Sequence, residues 1–86
     1  MKFEEYSRKT VFITGAASGI GQAQAVAFLE NGANVFGFDV DEQGLLNLQQ
    51  QYHEHFAYTV GSVCKKSDIE LAFSEVLTKF KEVNIF

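Results

Sequence analysis

A chain of 86 residues, 47% apolar and 14% aromatic with no Trp or Pro, has enough apolar material for one small core, which speaks against disorder. A formal net charge of -4, with seven scattered basic residues, speaks against a nucleic-acid or anionic-membrane partner. Cys64 is the single cysteine, so an internal disulfide is excluded and a reducing, cytoplasmic setting is expected; no apolar run nears the ~20 residues of a membrane span.

Lys9 to Thr14 (KTVFIT) is β-rich and apolar on both faces, the pattern of a strand buried in a parallel sheet. It runs directly into Gly15-Ala16-Ala17-Ser18-Gly19-Ile20-Gly21. From there to Glu30 the residues favour a helix, with Ile20, Ala23, Ala27 and the neighbouring Val26 as its apolar stripe. Asn31-Gly32 supplies a helix stop. Asn34 to Asp39 reads as a second strand, and Asp41 to Tyr52 as a second helix carrying Leu45, Leu46 and Leu48 but weakened by Gly44. Phe56 to Val60 is a third strand. Ser67-Asp68-Ile69-Glu70 has the spacing of a capping box, and Ile69, Ala72, Phe73, Val76, Leu77 and Phe80 follow it at helical intervals. Val83 to Phe86 opens another apolar run. The order is βαβαβα plus the start of a fourth strand, so the expected fold is an α/β, Rossmann-type, doubly wound parallel sheet. Residues 1–86 would be its N-terminal half, one incomplete domain.

Gly15, Gly19 and Gly21 follow the first strand in the pattern T-G-x-x-x-G-x-G. Gly15 lets the chain turn sharply off the strand, Gly19 lets main chain approach a pyrophosphate, and Gly21 lets the helix pack close against the sheet. The helix N-terminus beside Ser18, Gly19 and Ile20 then offers unpaired N–H groups to an anion, and no basic side chain is required. Taken alone, such a cluster can be merely a tight turn. Asp39, closing the second strand, supplies the context: a carboxylate there can accept from both hydroxyls of an adenosine ribose, although it could also be an ordinary strand-end or capping aspartate beside Asp41. The same carboxylate would repel a 2'-phosphate, and no Arg or Lys stands at Ala16, Ala17 or Val40 to offset it. The expected cofactor is therefore NAD in preference to NADP.

TGAASGIG after an apolar strand, an acid closing the next strand, and a capped helix leading to a VNIF run resemble the short-chain dehydrogenase/reductase family. The resemblance implies an NAD-dependent oxidoreductase that moves a hydride between the nicotinamide and an alcohol or carbonyl substrate. It also places an adenine contact on Ser62 and Val63, where serine replaces the family's usual acid. The family's catalytic Y-x-x-x-K does not occur: Tyr6 is followed at that offset by Thr10, Tyr52 by Phe56 and Tyr58 by Ser62. No catalytic residue is therefore assigned, and the 86 residues alone are expected to be inactive.

Two alternatives stay open beside this reading, a non-catalytic NAD-binding module and a protein-interaction module. The half-sheet would expose an edge prone to self-association. His53, Glu54 and His55 invite a metal reading, but nothing nearby completes a ligand set, so a solvated connection is expected and no metal is assigned.

Overall fold

The computed structural model describes residues 9–80. Along the chain run β1 (Thr10–Thr14), α1 (Gly19–Glu30), β2 (Asn34–Asp39), α2 (Glu42–Tyr52), a 3-10 turn (His53–His55), β3 (Phe56–Val60) and α3 (Lys66–Phe80). The three strands form one parallel sheet in the order β1-β2-β3, with Thr10 beside Asn34 and Val35 beside Phe56. The run Val83 to Phe86, expected to begin a fourth strand, lies outside the described residues.

Side chains alternate across a strand, and here each face meets its own helices. Val11, Ile13, Val35 and Phe56 point to one face and pack with Ala25 and Leu29 of α1 and Leu45 and Leu48 of α2. Phe12, Phe36, Phe38 and Ala57 point to the other and pack with Ala72 and Val76 of α3. Phe12 anchors that second layer, stacked at 5.7 Å on Phe36 and 5.0 Å on Phe73. Burying each such Leu or Phe contributes about 1.5–3 kcal/mol, so both faces of this short sheet are held by apolar layers. The result is the α/β, Rossmann-type arrangement with helices on both faces.

Two local expectations need correction. The buried stripe of α1 is Ala25 and Leu29, with Val26 and Phe28 half-buried, whereas Ile20 and Ala23 face solvent. The helix is apolar nearly all round, so its own pattern does not select a face. Its rotation is set by Gly21, where a methyl group would run into the Gly15 carbonyl and the end of β1. Gly21, Ala25 and Leu29 are four residues apart and form the inward row.

The second correction concerns α3. It begins at Lys66, so Ser67 lies inside the first turn rather than capping it. The backbone N–H groups of Asp68 and Ile69 both donate to the Lys65 carbonyl, at 3.1 and 3.2 Å. The Asp68 carboxylate is turned back to accept from the Ser62 N–H at 3.0 Å, tying the helix start to the end of β3.

The helix stop at Asn31-Gly32 forms as its residues dictate. Gly32 takes φ +89, and the N–H groups of Asn31, Gly32 and Ala33 all donate to the last carbonyls of α1. Gly44 has a tertiary reason: a methyl there would come within 2.7 Å of the Ala17 side chain, so the weak point of α2 is where the glycine loop docks.

Candidate functional site

All three strands deliver their carboxyl ends to the same edge, where open α/β sheets bind ligands. The loop leaving β1 turns through two left-handed residues, Gly15 at φ +66 and Gly19 at φ +49. A methyl group on either would meet nothing within 4 Å, so backbone conformation, and not crowding, calls for glycine there. The loop is seated from three directions. The Gly15 N–H donates to the Phe38 carbonyl at 2.7 Å, the fully buried Ala16 packs over Gly37, and Ala17 lies against Gly44.

Ser18 holds the N-cap of α1 in extended conformation (φ -140, ψ 145), yet its side chain makes no capping bond and the first turn contains no acidic residue. No carboxylate of the first turn meets the partial positive charge of this helix end.

Asp39 ends β2 half-buried between two backbone donors. Its Oδ2 accepts from the Ala17 N–H and its Oδ1 from the Asp41 N–H, both at 3.0 Å. A carboxylate offers about four lone-pair positions, so each oxygen retains one for a further donor. Capping α2 falls to Asp41 instead, whose Oδ1 accepts from the Gly44 N–H at 3.2 Å. The two neighbouring acids thus have separate tasks.

Beside Asp39 lies a cavity of about 160 Å³ lined by Gly15, Phe38, Asp39, Val40, Gly61 and Val63. Val40 and Val63 are 68% and 59% exposed. Apolar side chains left open on the rim of a cavity suit a flat apolar ligand face. Ser62 is committed locally: its Oγ accepts from the Cys64 N–H at 3.1 Å, and its carbonyl accepts from the Lys65 N–H at 3.0 Å. Phe38 and Gly61 join the site only in three dimensions, since in sequence they are an apolar strand residue and a loop glycine.

A larger hollow, about 430 Å³, lies at the opposite end of the sheet among Gln49, Gln50, His53, Glu54 and Lys79. It is open and lacks both the glycine loop and the strand carboxyl ends, so it is the weaker candidate despite its size. His53, Glu54 and His55 form an exposed 3-10 turn there, with His55 Nδ1 at 3.0 Å from Asn34 Oδ1. Among the described residues no cluster of three or more His, Cys, Asp or Glu could hold a metal, and no helix is long and apolar enough to cross a membrane.

With this geometry in place, the chain matches the short chain dehydrogenase family over residues 9–86. It belongs to that family. Over 78 residues it is 31% identical to a 3-phenylpropionate-dihydrodiol/cinnamic acid-dihydrodiol dehydrogenase of Escherichia coli, a match covering 91% of this chain and 29% of the relative. A 3-ketoacyl-(acyl-carrier-protein) reductase from Brucella melitensis, solved with NADH, superposes at a TM-score of 0.86 with 29% identity, covering 91% of this chain and 32% of that one. A short-chain dehydrogenase of glucose/ribitol type from the same organism superposes at 0.88 with 30% identity, covering 96% and 36%. This short-chain dehydrogenase chain therefore spans about a third of the length of the relatives it matches.

Proposed function

We propose that these residues form the adenosine and pyrophosphate end of the cofactor site of an NAD-dependent short-chain dehydrogenase. The observation that carries this reading is the N-terminus of α1, uncapped and without an acid in its first turn, standing next to the cavity that Asp39 lines. In it the pyrophosphate lies on the backbone of Gly15, Ser18, Gly19, Ile20 and Gly21, where helix N–H groups and dipole meet the anion. The ribose hydroxyls donate to the remaining lone pairs of Asp39. The adenine ring slots between Val40 and Val63, with Ser62 at its edge. A family relative solved with NADH supports a nicotinamide cofactor.

NAD is favoured over NADP because a 2'-phosphate would approach Asp39, with Asp41 and Glu42 following in sequence and no basic residue at Ala17 or Val40. Ala16, fully buried under the loop, faces no ligand. The parent reaction is hydride transfer between the nicotinamide and an alcohol or carbonyl substrate. The relatives named above, a dihydrodiol dehydrogenase and a ketoacyl reductase, support that class and no narrower one. No Y-x-x-x-K lies within these 86 residues, so by themselves they do not turn over, and with only the first half of a doubly wound sheet they bind the cofactor weakly. A single cysteine and the lack of a long apolar run fit work in the cytoplasm.

Titrating the chain with NAD and with NADP, followed by amide NMR, tests the reading. Expected are shifts at the loop from Gly15 to Gly21 and at Val40 and Val63, with NAD at least about tenfold tighter than NADP from the like-charge contact. Equal response to both cofactors would reject the NAD assignment, and silence at the loop would reject the site.

A further inference from the structure

We infer that Asp39 is also a positioning residue: it holds the glycine loop in its anion-binding shape before any cofactor arrives. The inference rests on the site proposed above but assigns Asp39 a task distinct from reading the ribose. Its carboxylate joins two segments far apart in sequence, the loop after β1 through the Ala17 N–H and the turn after β2 through the Asp41 N–H, each at 3.0 Å. Ala17 is the centre of that loop, flanked by the left-handed Gly15 and Gly19. Glycines that adopt φ above zero are among the freest residues of an unfolded or loosened segment, so a loop built on two of them needs external ties to keep one shape. The Ala17 side chain lies against Gly44, and the Asp39 bond fixes its backbone.

This role and a ribose-only role predict opposite signs for one simple ligand. Inorganic pyrophosphate has no ribose. If Asp39 only reads the ribose, neutralising it removes a nearby negative charge and frees the Ala17 N–H as a donor, so pyrophosphate should bind as well or better. If Asp39 holds the loop, pyrophosphate loses its preorganised N–H groups and binds less well despite the electrostatic relief.

The experiment compares wild type, Asp39→Asn and Asp39→Ala. Pyrophosphate affinity is read by amide NMR titration, and solvent exchange of the Ala17 N–H is read without ligand. Chemical-shift dispersion of the α3 amides reports that each variant is folded. Expected is a fall in pyrophosphate affinity of roughly 3- to 10-fold in Asp39→Ala, the scale of one ordinary hydrogen bond, because relief of the nearby negative charge offsets part of the loss. Asp39→Asn, which keeps one carbonyl acceptor in place, should lie between. Ala17 exchange should quicken in the same order. Pyrophosphate affinity equal to or above wild type in a folded variant overturns the proposal, and so does unchanged Ala17 exchange. If wild type binds neither NAD nor pyrophosphate, the site reading fails, and the exchange of Ala17 still decides the tie on its own. If Asp39→Ala does not fold, the same criteria apply to the isosteric Asp39→Asn.

Discussion

Helices α1 and α2 start at the same edge of the same sheet face, yet their first turns are finished in opposite ways. At α2, Asp41 caps the helix with its own carboxylate, and Glu42 adds a second negative charge to the first turn. At α1, Ser18 makes no side-chain capping bond and no acid follows. The chain thus meets one helix end with acids of its own first turn, whereas the other has none there and the Asp39 carboxylate reaches only the preceding loop, at the Ala17 N–H. The glycines follow the same division. Those of the α1 loop set its backbone path, while Gly44 of α2 makes room for that loop.

The largest expected effect comes from detaching α1 from the sheet. Gly21→Ala places a methyl group against the Gly15 carbonyl, and backbone cannot move aside as a side-chain tip can. Urea unfolding should show a loss of about 3 kcal/mol. A loss within a few tenths would mean that α1 can shift off β1, and that the open helix end is not held where the structure puts it.

A smaller pair of substitutions tests the difference between the two termini directly. Asp41→Ala removes a side-chain cap and should cost about 1 kcal/mol. Ser18→Ala removes a side chain that makes no capping bond and should leave stability within a few tenths of a kcal/mol. Equal costs would break the contrast, since they would show Ser18 capping its helix in solution.

The smallest effect lies at the far ends of the two helices, where they are coupled. The Tyr52 hydroxyl at the end of α2 donates to Glu30 at the end of α1, at 2.6 Å. That bond, followed by partial burial and the negative charge of Glu30, raises the phenol above its ordinary value of 10.0. A group whose folded value is raised gives stability that is complete below the unfolded value and is lost as pH climbs through the folded one. Thermal unfolding of wild type should therefore fall away more steeply than that of Tyr52→Phe above pH 10. Parallel curves above that pH would remove the coupling.

Much of the fold is legible along the chain because strands and helices alternate with clear punctuation. The strand at Asn34 to Asp39, the strand at Phe56 to Val60 and the stop at Asn31-Gly32 all form where local pattern places them. Local pattern fails where tertiary contact outranks it. The face of α1 depends on Gly21 meeting β1, and the start of α3 depends on Asp68 bonding to the end of β3 instead of on a capping box at Ser67. The inward row Gly21-Ala25-Leu29 was present in the sequence as a signal, but an almost wholly apolar helix gives no contrast by which to find it. Gly44 reads as a defect in α2 until Ala17 is seen beside it.

By itself the sequence determined that a glycine turn joins a buried strand to a helix, that an acid ends the next strand, and that the chain is of short-chain dehydrogenase type. The turn and the acid follow from residue identity and spacing, because only certain residues adopt those backbone angles or carry that charge; the family type follows from the resemblance of that motif to known members. The tertiary structure alone decided that Asp39 grips Ala17 and Asp41, that Ala16 is buried and Ala17 docked, and that Phe38 and Gly61 join Val40 and Val63 around one cavity. Those facts depend on parallel strands bringing three distant chain segments to one edge, a proximity that no local pattern encodes.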